Sequence, residues 1–203
     1  GWYDWIKQFD PLEPRDISSP GAMIYTSGTT GRPKGVRRKS GTPAEMDNLY
    51  ATINQAFDIG PGKRTIIPAP LYHSAPNTYG ILCVVMGMDE MVLMPRFDPE
   101  ELLRLVEKHK TTHLQTVPTM FIRMLKLPED ERTKYDASSL EFVVHAAAPC
   151  PPDIKQQMID WWGPIINEYY GATEVGAVSF LDSNQWLGHR GSVGKAMKNC
   201  EIL

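Results

Sequence analysis

Residues 25–36 read Tyr-Thr-Ser-Gly-Thr-Thr-Gly-Arg-Pro-Lys-Gly-Val. These twelve positions carry three glycines, four serine or threonine hydroxyls, an arginine and a lysine. Glycine lets a backbone turn sharply and come close to a ligand. With Gly28 and Gly31 as pivots, backbone amides, the hydroxyls of Thr26, Ser27, Thr29 and Thr30, and the ammonium of Lys34 can converge on one small volume. A polyphosphate requires such a donor set, and cradles of this kind recur at phosphate sites. The stretch is not a Walker loop, which needs glycine, four residues, then Gly-Lys-Ser/Thr. Here Lys34 follows Gly31 by three, and Gly35 stands where a magnesium-binding hydroxyl would be. The plainer alternative is a polar surface loop, the usual meaning of a Gly, Ser and Thr cluster.

Three other segments could join it. Residues 70–74 read Pro-Leu-Tyr-His-Ser, residues 145–149 His-Ala-Ala-Ala-Pro and residues 169–174 Tyr-Tyr-Gly-Ala-Thr-Glu. Glu174 has the chemistry for Mg²⁺, which takes one or two carboxylates alongside phosphate oxygens and water; as an isolated residue it would be a solvated surface acid. The small side chains of Ala147, Ala148 and Pro149 suit either a flat base lying on backbone or close strand–helix packing. Tyr170 offers a stacking surface or a core aromatic, and His73 is a lone imidazole with a structural alternative. The apolar run 79–85 is a buried helix face or the lining of an apolar pocket.

The elements around these segments alternate. Residues 22–24 form a short apolar run that reads as a buried strand feeding the glycine-rich loop. Thr42-Pro43-Ala44-Glu45 is a helix start, with a hydroxyl cap, proline at the first helical position and glutamate three after the cap. Met46, Leu49, Tyr50, Ile53 and Phe57 then make one apolar stripe, ended by Gly60 and Pro61. Strands are expected at 65–67, 91–94, 113–117, 142–144, 165–169 and 175–181. Helices are expected at 78–86, after Asp98, from Pro118 and over 153–162, the last with Ile154, Met158 and Trp161 inward. Residues 129–139 are polar surface, and Gly191 to Gly194 is loop with Lys195 a surface charge. This alternation predicts an α/β fold, a largely parallel sheet of βαβ units with flanking helices. In such a sheet ligands sit beyond the carboxyl ends of the strands, so all four segments would meet on one rim.

The chain has 203 residues, a formal net charge of −3 and 42% hydrophobic residues. That supports one domain with an ordinary core. Residues 1–21 read as a short helix at most followed by a linker, and 22–203 as the domain. There is no basic excess to suggest nucleic acid. Cys83, Cys150 and Cys200 match no disulfide or metal framework. No apolar run approaches membrane-spanning length. Cytoplasmic location is the expectation. Arg37-Arg38-Lys39 reads as a solvated basic patch that could also touch anionic phosphates or an acidic membrane surface peripherally.

All four segments, in this order, resemble motifs of the adenylate-forming superfamily, which includes acyl-CoA synthetases, coumarate-CoA ligases, luciferases and peptide-synthetase adenylation domains. The resemblance runs from about Trp2 to Leu203, and Gly191-Ser192-Val193-Gly194 continues it. It implies a fragment of the large domain of an acyl-CoA synthetase, using ATP, Mg²⁺ and CoA with a carboxylic, most naturally fatty, acid. By that resemblance, Thr26, Ser27, Gly28, Thr29, Thr30, Gly31 and Lys34 hold the β- and γ-phosphates, and Thr173 touches the α-phosphate. Glu174 holds magnesium. Ala147, Ala148, Pro149, Tyr169, Tyr170, Gly171 and Ala172 line the adenine pocket, and His73 borders the carboxylate and the thiol tunnel. Ala147 stands where glycine is common. No aspartate occurs in residues 69–88 to pair with a substrate ammonium, and a buried unpaired ammonium is costly, so an amino acid is disfavoured. The resemblance also implies missing parts: a ribose-binding aspartate, a hinge and C-terminal domain with a catalytic lysine, and an N-terminal subdomain. The fragment alone is then expected to be inactive. An aryl-CoA ligase, a fatty acyl-AMP ligase or a luciferase-like oxidase are alternatives, and a non-catalytic nucleotide-binding module is the alternative of another class.

Overall fold

The computed structural model describes residues 1–10, 23–26, 32–37, 41–198 and 200–202. The elements run α1 (Trp2–Ile6), β1 (Met23–Thr26), β2 (Lys34–Arg37), α2 (Pro43–Phe57), β3 (Arg64–Ile67), α3 (Ser74–Val85), β4 (Glu90–Leu93), α4 (Pro99–His109), β5 (His113–Thr116), α5 (Pro118–Leu125), α6 (Glu129–Arg132), β6 (Phe142–His145), α7 (Pro152–Trp162), β7 (Ile166–Ala172), β8 (Gly176–Leu181), α8 (Ser183–Gly188) and β9 (Lys195–Ala196). Seven strands form one sheet in the order β4-β3-β5-β6-β7-β8-β9. The first five are mutually parallel, while β8 runs antiparallel to β7 and β9 antiparallel to β8. The expected α/β architecture with flanking helices is what the chain adopts.

Alternating side chains divide the core into two layers. Ile66, Leu114, Val143 and Ile166 pack with Leu102, Val106, Phe121, Met158 and Trp186 on the α4, α5, α7 and α8 side. Ile67, Val144 and Tyr169 pack with Phe57, Tyr79 and Cys83 on the α2 and α3 side. Local signals mark the helix starts. Thr42 and Glu45 cap α2 reciprocally. The Asp98 carboxylate accepts from the Glu101 N–H at 2.9 Å to open α4.

Several expectations needed correction. Residues 23–26 do not join the parallel sheet but pair with β2 in a separate antiparallel hairpin, with Met23 54% exposed. The partner strand lies a few residues downstream, so local hairpin closure supplies the backbone hydrogen bonds. β8 reverses direction because only residues 173–175 join it to β7, and a parallel return needs a crossover of about a dozen residues. Helix α2 stops at Asp58, left-handed at φ 48, two residues before Gly60. In α7 the expected inward residues Ile154, Met158 and Trp161 do pack on the core, and the buried face widens to include Lys155 and Ile159. The short elements β2, α6, α8 and β9 were not anticipated.

Two histidines are buried at opposite ends of the parallel strands. His113 opens β5, its Nε2 3.0 Å from Asp58 Oδ2 and its Nδ1 2.8 Å from Thr112 Oγ1. Burial lowers its pKa, although Asp58 pulls the other way. His145 closes β6, fully buried; burial first, then the charge of Lys155, holds its pKa well below the ordinary value. A histidine kept neutral in the folded chain leaves the unfolded state binding more protons below about pH 6.5, so stability declines as pH falls through that point. For His145 the decline should set in as pH falls below about 6.5. Urea titrations of the wild type and His145→Leu below that pH should show the flatter dependence in the variant; equal slopes would refute this account.

Candidate active site

The carboxyl ends of β6 and β7 border a cavity of about 880 Å³. Its walls come from the hairpin (Ile24, Val36), α2 (Leu49, Tyr50, Ile53), the first turns of α3 (Ser74, Thr78, Ile81), Ala147 after β6, and residues 171–177 between and within β7 and β8. Three of the four chemistry-bearing segments therefore border one space directly, and the hairpin that flanks the glycine-rich loop contributes to the fourth side.

Thr173 and Glu174 sit on the three-residue connection leaving β7. Thr173 is half-buried, with its Oγ1 3.0 Å from Ser74 Oγ at the start of α3. Glu174 is exposed at the cavity rim. Gly171 is required here by close approach: a Cβ on it would lie 2.1 Å from the Gly176 carbonyl oxygen, at a register shift between Tyr170 and Gly171. The strand pair thus narrows where it delivers the two polar residues.

The adjacent tyrosines go to different places. Tyr170 is 60% exposed, whereas Tyr169 is 8% exposed and packs edge-on against Phe57 with ring centroids 5.4 Å apart. Burial pushes the Tyr169 phenol up to about 12. Tyr169 backs the cavity from the core; Tyr170, exposed on the neighbouring position, is not among the residues that line it. Ala147 borders the cavity at φ 74, while Ala148 and Pro149 are exposed beyond it. An L-residue with a Cβ is strained in that conformation by about 1–2 kcal/mol. Ala147→Gly is therefore expected to raise stability by about 0.5–1 kcal/mol after glycine's larger unfolded-state entropy is counted. Chemical denaturation would measure the gain, and a loss would show that the strain is not there.

His73 is exposed, caps α3 without a side-chain hydrogen bond, and lies against Tyr72 with ring centroids 4.5 Å apart. It adjoins the cavity wall through Ser74 rather than lining it. Ser27, Gly28, Thr29, Thr30 and Gly31 lie outside the described residues. On the hairpin, Lys34 pairs with Thr26, and Val36 with Ile24. Alternation puts all four on one face. Ile24 and Val36 border the cavity, and Lys34 and Thr26 stand one step further along that face toward the loop.

Among the described residues no group of three His, Cys, Asp or Glu could hold a metal by itself. A single rim carboxylate fits Mg²⁺ nonetheless, because that ion takes most of its ligands from water and substrate phosphates. Two features escaped sequence reading. Leu49, Tyr50 and Ile53, expected as plain core, face the cavity instead. Ser74 stood in a noted segment, but its partner Thr173 is 99 residues away, and no local pattern reveals such a pair.

The profile described as AMP-binding enzyme matches residues 3–203. The chain is 31% identical over 199 residues to a long-chain-fatty-acid–CoA ligase of Bacillus subtilis (strain 168), covering 93% of this chain and 32% of that protein. It is 30% identical over 190 residues to 2-succinylbenzoate–CoA ligase of Bacillus pumilus (strain SAFR-032), covering 92% and 37%. The o-succinylbenzoate coenzyme A synthetase MenE of Bacillus subtilis, solved in complex with ATP and magnesium ion, superposes with a TM-score of 0.71 at 27% identity, covering 89% of this chain and 36% of that one. The chain thus spans about a third of the length of the curated relatives it matches. With the parallel sheet, the shared cavity and the profile match in agreement, the chain belongs to the family of AMP-binding, adenylate-forming enzymes.

Proposed function

We propose that this chain is the nucleotide-binding portion of an ATP-dependent acid–thiol ligase. A carboxylate attacks the α-phosphorus of ATP, giving an acyl-adenylate and pyrophosphate; the thiol of CoA then displaces AMP to give a thioester. The observation that carries this reading is the meeting of Thr173, Glu174, Ala147 and the β1–β2 hairpin around one cavity. Phosphoryl transfer of this kind depends on positioning and charge neutralisation more than on covalent help from the protein.

Each residue then has a physical task. Lys34 and the amides and hydroxyls of residues 26–31 hold the β- and γ-phosphates. Thr173, its hydroxyl 3.0 Å from that of Ser74, presents a polar group to the α-phosphate. Glu174 holds Mg²⁺, which when bound neutralises phosphate charge. Tyr170 and residues 147–149 receive the adenine, with Gly171 and Ala172 keeping the backbone close to it. His73 lies beside the carboxylate and the path of the thiol. The apolar wall formed by Leu49, Ile53 and Ile81 supports an apolar acid, fatty or aryl, over an amino acid.

Since the chain spans about a third of its relatives, the reaction belongs to the full-length protein, and this portion alone is at most a weak nucleotide binder. Among the described residues no helix is long and apolar enough to cross a membrane; cytoplasmic location, with peripheral membrane contact through Arg37 and its neighbours, is part of the proposal. The test is a thioester assay of the full-length protein with ATP, Mg²⁺ and CoA across acetate, medium- and long-chain fatty acids and benzoates. Thioester and AMP formation in step is the expected result. Nucleotide binding with no acid turned over would favour the non-catalytic module instead.

A further inference from the structure

A buried polar cluster lies beneath the cavity rim, on the opposite face of the sheet. His145 and Glu168 are the last register partners of β6 and β7. Beyond them the two strands part. One leads to Ala147; the other continues through residues 169–172, held on one side only, by β8. Lys155, reaching from α7, is fully buried, and its Nζ donates to Glu168 Oε2 at 2.7 Å. The same ammonium stands 5.2 Å from the Trp186 ring centroid. His145 Nε2 is 3.5 Å from the same carboxylate oxygen, and neither ring nitrogen has a hydrogen-bond partner among the described residues.

Stability is a poor explanation for this arrangement. Well-packed apolar residues often replace a buried ion pair without loss, and a buried ring with unmet polar atoms is a cost. Register is a better one. A one-residue slip at the His145–Glu168 rung would turn Glu168 to the other face, among Phe57, Tyr79 and Val144, and separate it from Lys155. It would also carry Thr173 and Glu174 about 3.3 Å along the strand. We infer that Lys155, Glu168 and His145 form a positioning device that fixes where residues 146–149 and 169–174 leave the sheet, and hence the spacing between Ala147 and the Thr173–Glu174 pair. The inference deepens the proposed function and rests on it for the catalytic consequence.

The test uses the full-length enzyme carrying Lys155→Met, Glu168→Leu, the Lys155→Met/Glu168→Leu double substitution and Glu168→Asp. Lys34→Ala and Glu174→Gln serve as controls. Thermal midpoint, kcat and KM for adenylate formation, and amide exchange in peptides covering residues 146–149 and 169–176 are measured together. Each single truncation should lower both the midpoint and the rate. The double variant should regain the wild-type midpoint while adenylate formation stays at least about tenfold down in kcat, and amides of residues 169–176 should exchange about tenfold faster. A double variant that recovers rate and exchange protection along with its midpoint would overturn the inference, because the cluster would then only fill space. If the double variant does not fold, Glu168→Asp decides: it keeps the charge but shortens the tether, and wild-type kcat and exchange in it would equally refute positioning. Normal turnover in both controls would instead count against the functional reading, with the exchange data still judging the device.

Discussion

If the proposed function holds, replacing Glu174 by glutamine in the full-length protein should lower adenylate formation by about two to three orders of magnitude, the range found when one preorganised charge-stabilising group is removed from an active site. The side chain is exposed on a three-residue connection, so the substitution should leave the thermal midpoint in place. The amide keeps the shape but loses the charge that an Mg²⁺–phosphate complex requires. The deficit should therefore appear in kcat and should be only partly relieved by raising magnesium. Lys34→Ala should act differently. Lys34 is also exposed, and its proposed partners are the terminal phosphates, so the KM for ATP should rise while the apparent affinity for the carboxylic acid is little changed. Pyrophosphate exchange separates this half-reaction from thioester formation. If both variants exchanged pyrophosphate at wild-type rates, Lys34 and Glu174 would not be doing what is proposed for them.

Trp186→Ala should produce the largest loss of stability from a single apolar truncation, about 3–5 kcal/mol. Trp186 is 2% exposed and packs in the core on the α4, α5, α7 and α8 side. Its ring faces Lys155 at 5.2 Å and Arg190 at 5.8 Å, so truncation also removes the aromatic surface over a buried cation, a contact of about 0.5–2 kcal/mol. Helix α8 is pinned by other means as well. Asp182 and Gln185 cap it reciprocally, and Ser183 Oγ donates to the Ile166 carbonyl at 2.7 Å. The helix should accordingly stay docked while the space left by the indole goes unfilled. Urea denaturation of the wild type, Trp186→Phe and Trp186→Ala should rank them in that order, and a loss below about 1 kcal/mol for alanine would mean the site collapses around the smaller side chain.

The elements that sequence reading located well are those whose signals are local. The Thr42 and Asp98 caps, the proline that opens α5, and the apolar strands β3 to β7 all carry their cause within a few residues. The elements it misplaced depend on a partner. Residues 23–26 look like any short apolar strand, and only their pairing with residues 34–37 shows that they stand outside the main sheet. β9 has two residues and exists because β8 offers it an edge. Lys155 carries a polar head at a position that periodicity alone would turn to solvent, and its burial follows from Glu168 thirteen residues away.

From the order and spacing of its motifs, the chain by itself determined the family, the parallel core of the sheet and the segments that would crowd its carboxyl edge. Residue types at short spacing specify backbone turns, caps and hydrogen-bond donors, and these do not wait for the rest of the molecule. The tertiary structure alone decided which of two adjacent tyrosines remains exposed, that Ser74 meets Thr173, that α2 walls the cavity, and that a buried Lys–Glu pair underlies the rim. These depend on side chains brought together across many tens of residues by strand alternation and helix docking, and the free energy that selects among such contacts does not exist until the layers have packed.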